Sequence, residues 1–139
     1  HLLGRRQRQM CIRDSTYTWQ RVVSETPSGQ SGYAVYSDCK LGDGVTSEDF
    51  YNAYHAYAMA AQKMGDVAGR KMIFPTSGVP SNWDYDFVQL VSTETIADYG
   101  KNWSNFWSNT DDMPELKALN DLGGSCENER TYGIVPVRN

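Results

Sequence analysis

Two helix-forming stripes interleaved with four strand-forming runs constrain this 139-residue chain more than any other feature. Thr46-Ser-Glu-Asp49 offers an N-cap hydroxyl with an acid three residues later, the capping-box pattern with Asp in place of Glu. Behind it, Phe50, Tyr54, Tyr57, Ala61 and Met64 recur at steps of 4, 3, 4 and 3, so they share the core-facing side of a helix that stops near Gly65. A second helix, beginning at Thr93 or Thr95, places Ile96, Tyr99, Trp103 and Phe106/Trp107 on one face. It breaks at 108–112. Pro114, suited to a first helical position, starts a shorter piece carrying Leu116, Leu119 and Leu122, which Gly123-Gly124 ends. The strand candidates are 33–39, 70–74, 85–91 and 131–137. The second and third are joined by a turn-rich stretch, 75–84, that predicts a hairpin, and Pro136 puts the last at a sheet edge or at the strand's end, because proline cannot donate to a ladder.

The order is therefore β-α-β-β-α-β over residues 33–138, an α+β chain with the split βαβ arrangement. It predicts a ferredoxin-like sandwich, with the first and fourth strands antiparallel neighbours and both helices on one sheet face. The other face is left bare, and an apolar face of that area predicts burial against a second sheet, from a homodimer or from a tandem repeat partner. On this element order and length, residues 33–138 resemble the dimeric α/β-barrel superfamily. That superfamily includes small cofactor-free monooxygenases, muconolactone-isomerase-like enzymes and many uncharacterised stress-response proteins. The resemblance includes no specific motif, and fold does not imply function.

Residues 16–23 form a further strand candidate, followed by a linker, 24–32, with Pro27, Gly29 and Gly32. Both 16–23 and 131–137 open with Thr-Tyr, which suggests a strand left over from a preceding copy of the same module. Residues 1–15 read differently. They carry Arg5, Arg6, Arg8 and Arg13 without periodicity, and without the apolar stretch of a signal peptide. They resemble translated sequencing-adaptor read-through at the end of a metagenomic gene fragment, which implies a truncated N-terminus. A real basic arm that binds an anionic partner is the alternative.

Of the three cysteines, Cys11 falls in that tail. Cys39 ends the first strand candidate and Cys126 precedes the fourth, so an antiparallel pairing brings them to the same end of the sheet. A disulfide there closes most of the domain into one loop and predicts about 4 to 5 kcal/mol of stabilisation on the chain-entropy model. An even count of two fits a periplasmic or extracellular protein. Two buried thiols, in a cytoplasmic protein, are the plainer alternative.

Thirteen basic against 17 acidic residues give a net charge of −4, without a basic patch beyond the tail, which argues against nucleic acid and anionic membranes as partners. No CxxC or Cys/His cluster calls for a metal, and no motif calls for a cofactor. His55, the one histidine outside the tail, sits mid-helix with Tyr51; the pair forms a catalytic candidate in which imidazole moves a proton near neutral pH. A partly exposed helix residue bonded to a neighbour is the commoner role for such a histidine. Tyr54, Trp83, Trp103 and Trp107 are candidates to line a pocket for a small apolar ligand, although such aromatic rows more often form core or interface. Asp84 and Asp86, at i and i+2, read as solvated turn residues rather than a cation site. Asn102-Trp-Ser104 matches a glycan acceptor inside a helix and carries no information. Two functions follow as expectations: an exported module acting through self-association or small-ligand binding, and a cofactor-free monooxygenase or isomerase using His55, Tyr51 and Trp103.

Overall fold

Helix α1, Ser47–Lys63, starts at the capping box read from the sequence: the Asp49 amide donates to Thr46 Oγ1 at 3.1 Å and the Thr46 amide to Asp49 Oδ2 at 3.3 Å. Its buried stripe is Tyr54, Tyr57, Ala58 and Ala61; Met64, expected on that stripe, is the C-cap and half-exposed. The computed structural model describes residues 18–76, 78–135 and 137. The tail 1–15, with Cys11, the Thr16-Tyr17 pair on which the repeat expectation rests, and Pro136 lie outside the described residues.

Five strands make one antiparallel sheet: β1 Thr18–Ser24, β2 Tyr33–Leu41, β3 Gly69–Pro75, β4 Phe87–Thr93 and β5 Gly124–Gly133. Their order is β1-β3-β4-β2-β5. With α1 and two further helices, α2 Ile96–Asn109 and α3 Pro114–Asp121, the chain is α+β. Strands β2 to β5 and their intervening helices are compatible with the split arrangement expected from the sequence. The run before the linker is β1, which pairs along β3 from Thr18↔Pro75 to Ser24↔Arg70 and so lies in the same sheet as everything after it.

The sheet divides by alternation. Val23, Cys39, Met72 and Phe87 pack under Tyr54, Tyr57, Ala58 and Met113, with Phe106, Leu116 and Leu119 alongside, so all three helices share one face. On the opposite face Ala34, Val88 and Leu90 are buried while Tyr36 and Ile73 are half-buried. That face is not uniformly apolar. Asp38 is buried there, held by both Arg130 guanidinium nitrogens at 3.0 and 3.1 Å and by Asn128 Nδ2 at 3.1 Å.

The last strand departs most from the sequence expectation, starting at Gly124 rather than Thr131. Its register places Cys39 opposite Cys126, and the two form a disulfide with a Cα separation of 4.1 Å. Gly123 and Gly124 turn the chain from α3 into β5 at φ 73° and 101°. A Cβ on Gly124 would lie 2.5 Å from the Lys40 carbonyl oxygen, so the close approach of β5 to β2 there requires glycine. The third strand candidate, expected at 85–91, is β4 at Phe87–Thr93. Asp86 instead bonds the end of β2: its amide donates to the Cys39 carbonyl at 2.8 Å and its carboxylate accepts the Leu41 amide at 2.7 Å. No helix among the described residues is long and apolar enough to cross a membrane.

Candidate functional site

Helix α2 has an amphipathic sequence and no fully buried residue, although Phe106 packs against the core. The space beneath is a cavity of about 170 Å³, walled by Tyr54 and Tyr57 of α1, Tyr99, Trp103 and Phe106 of α2, and Val91 of β4. Apolar cavities of roughly 150 Å³ accept one benzene-sized ring, so the space suits a compact molecule.

Its floor is polar. Arg70, the second residue of β3, forms a two-pronged ion pair with Asp66, Nη1 to Oδ1 at 2.9 Å and Nη2 to Oδ2 at 2.8 Å, with both side chains 7% exposed. Asp66 also accepts the Ala68 amide at 2.9 Å, and the guanidinium lies 5.4 Å from the centre of the Tyr57 ring. Burial works against the Arg70 charge, but the Asp66 carboxylate more than offsets it and raises the guanidinium pKa above its ordinary value. The Tyr54 hydroxyl accepts Gln89 Nε2 at 2.7 Å, and burial pushes its pKa up to about 12, so it is neutral at physiological pH. Asn102 completes the lining: its Oδ1 accepts the Val67 amide at 3.1 Å, while its Nδ2 is buried with no partner among the described residues. That burial also makes it a poor glycan acceptor.

Of the residues singled out in the sequence, Tyr54 and Trp103 line this cavity. Trp107 does not; it stacks on the outer side of Trp103, ring centres 6.1 Å apart, and is 70% exposed. Trp83 lies in the hairpin loop against Tyr85, 5.6 Å between rings. Tyr51 and His55 are also elsewhere, on the flank of α1 that meets β1. Tyr51 donates its hydroxyl to the Val22 carbonyl at 3.0 Å, with the Arg21 guanidinium 3.6 Å above its ring. His55 is exposed, stacked on Tyr51, with Nδ1 2.8 Å from the Val23 carbonyl oxygen. A step of four from Tyr51 to His55 carries both along β1, one helical face away from the cavity side occupied by Tyr54 and Tyr57.

Asp84 and Asp86 are each engaged, Asp84 by Lys40 Nζ at 2.7 Å and Asp86 by the Leu41 amide, and no acidic, cysteine or histidine cluster among the described residues could hold a metal ion. The polar cavity residues that the sequence did not place in a pocket are Asp66, Arg70, Gln89 and Asn102. One signal for them was present: Asn102 is a polar side chain at helical spacing between Tyr99 and Phe106, on a face otherwise built of rings. The chain matches no protein-family model, no curated protein and no solved structure.

Proposed function

We propose that this chain is an exported small-molecule-binding module with a ferredoxin-like fold of the dimeric α/β-barrel type, and that its ligand is a compact, largely apolar molecule seated between α1, α2 and the sheet. One observation carries the reading: an aromatic-walled cavity of about 170 Å³ lies beneath a helix that buries none of its own residues. Ligand sites are commonly concave and apolar with a few placed polar groups, the composition found here. Filling the space would bury the inner side of the α2 ring row, so ligand and helix would stabilise each other. The Cys39–Cys126 disulfide supports an oxidising compartment, periplasmic or extracellular.

Binding fits the geometry better than catalysis. A cofactor-free monooxygenase or isomerase needs a group that moves protons at the ligand, and His55 and Tyr51 stand away from the cavity. Of the ionisable groups that line it, Asp66 and Arg70 are committed to each other, and burial raises the hydroxyl pKa of Tyr54, Tyr57 and Tyr99 so that all three stay neutral.

Self-association is a second part of the reading, supported by the absence of any described helix over the opposite sheet face. A second copy of the chain would cover the half-buried Tyr36 and Ile73.

The test is titration of the oxidised chain with ethylbenzene, followed by Trp fluorescence and thermal unfolding. Saturable binding should quench or shift Trp103 emission and raise stability by about 2.7 kcal/mol at a hundredfold excess over Kd. Val91→Phe, which fills the cavity from β4, should abolish the response. Absence of saturable binding by the native chain would overturn the proposal.

A further inference from the structure

We infer that the site extends beyond the cavity onto the outer flank of α2, and that its ligand is an elongated, non-anionic molecule with two aromatic rings, one in the cavity and one on Trp107. This rests on the ligand-binding reading above and adds the length and class of the ligand. The exposure of the lining shows where a longer molecule would emerge. Asp66 and Arg70, each 7% exposed, close one end of the cavity, and Tyr54 and Tyr57 are buried. The remaining lining residues are half-buried, except Trp103, which is 45% exposed. The wall therefore meets solvent at that ring, and a ligand longer than the cavity grows past it.

What it meets there is also aromatic. Ile96, Trp103 and Trp107 stand 7 and 4 residues apart, so helical geometry puts them on one flank of α2, and all three are exposed. Trp107 stacks on Trp103 with 19° between their planes, and its edge contact with Phe106, 5.3 Å between centres, holds it from the cavity side. The ring is thus held in place while its outer face stays open to solvent. An exposed apolar patch on a regular element marks a contact site, and continuity with the cavity says which contact this is. Trp103 belongs to both the cavity wall and the flank, so a molecule whose first ring lies inside against Trp103 presents its second to Trp107. Charge disfavours an anion. Ala97, Gly100 and Ser104, which share the flank by helical spacing, carry no charge to pair with one. Burial, and then the Glu129 carboxylate of β5, raise the Tyr99 hydroxyl pKa, so a negative group beside Tyr99 would be repelled as well.

The experiment is calorimetric titration of the oxidised full chain with ethylbenzene and with para-hydroxybibenzyl, which is ethylbenzene carrying a hydroxyphenyl ring on its terminal carbon. The two-ring probe should bind about tenfold tighter, a factor in keeping with one added aromatic stack, and bibenzyl para-carboxylate should bind less tightly than the phenol. Trp107→Ala should remove the gain while leaving ethylbenzene affinity within about twofold, and Trp107→Phe, which keeps a ring, should retain most of it. Trp107 is exposed, so the ligand-free variants should unfold thermally with the native chain. Equal affinity for ethylbenzene and para-hydroxybibenzyl would overturn the inference. So would a two-ring preference that survives Trp107→Ala, since greater hydrophobicity alone would then explain it, an equal loss for both probes, or a preference for the carboxylate. A fall in sedimenting mass on Trp107→Ala would overturn it too, by assigning the flank to contact between copies of the chain. Failure of both uncharged probes to bind the native chain would instead overturn the ligand-binding reading on which this one stands.

Discussion

The ion pair beneath the cavity is where single residues matter most. Removing Asp66 by Asp66→Ala would leave the Arg70 guanidinium buried without a counter-charge, and we predict a loss of about 3 to 5 kcal/mol in chemical denaturation. The double replacement Asp66→Ala/Arg70→Met should cost less than Asp66→Ala alone, since no charge is then stranded. His55 provides the contrast. It is exposed, and its hydrogen bond among the described residues is to the Val23 carbonyl, so His55→Ala should change stability by less than about 1 kcal/mol and leave ethylbenzene binding unchanged in the same titration. Asp38 sets an acid limit on stability. Burial pushes its carboxyl up, but the hydrogen bonds from Arg130 and Asn128 and the Arg130 charge win, and its pKa is lowered in the folded chain. A depressed folded pKa contributes stability that is present above the unfolded value, near 3.9, and is lost as pH falls through the folded value. Urea denaturation between pH 6 and pH 2 should show that loss, and Asp38→Asn should flatten it. The cysteine pairing was legible at this scale because adjacent strands place 39 and 126 together. Asp66 and Arg70 were not, since an acid in a turn and a base opening a strand look like ordinary surface residues until the chain folds them inward.

At the scale of elements, legibility followed local chemistry. The start of α1 could be read because a capping box acts within four residues, and the start of α3 because proline fits a first helical turn. The strand β5 could not, because 124–130 is Gly-Ser-Cys-Glu-Asn-Glu-Arg, without the β-branched residues of a buried strand. It is an exposed edge, ordered by its ladder to β2 and by the disulfide rather than by burial of its own side chains. That origin makes a prediction. Reducing the Cys39–Cys126 bond should lower global stability by up to about 4 to 5 kcal/mol, the chain-entropy figure, and speed amide exchange first along β5, with α1 protected until global unfolding. Gln89 Oε1 lies 3.6 and 3.3 Å from the two sulfurs, and Gln89 Nε2 bonds Tyr54, so the same exchange experiment should show whether loosening β5 reaches the cavity wall. Helix α2 is the opposite case. Its aromatic stripe was visible, and the structure divides it: Phe106 packs against the core, Tyr99 and Trp103 line the cavity, and Ile96 and Trp107 are exposed.

For the whole molecule, the arrangement of layers decides what the chain can be. Three helices on one face leave the other without a helical cover among the described residues, and a sheet face of this kind is stabilised by a second layer. The expectation from sequence was a bare apolar face; the face found is mixed, with Asp38, Lys71 and Arg130 around a patch of Tyr36, Ile73 and Val88. Symmetry suits such a surface, since in a twofold pair the same patch meets itself and the charged rim can meet its own complement. We therefore predict that the oxidised chain sediments at twice its monomer mass of 15.7 kDa at micromolar concentration. Ile73→Glu, which puts a carboxylate at the half-buried centre of that patch, should return it to monomer mass without affecting ethylbenzene binding on the opposite side of the sheet. A native chain that sediments as a monomer at the highest attainable concentration would rule out pairing through this face. Dissociation by Ile73→Glu accompanied by loss of ethylbenzene binding would show instead that the two faces are energetically coupled through the strands they share, Met72 and Phe87 lying on the other side of the same backbone from Ile73 and Val88.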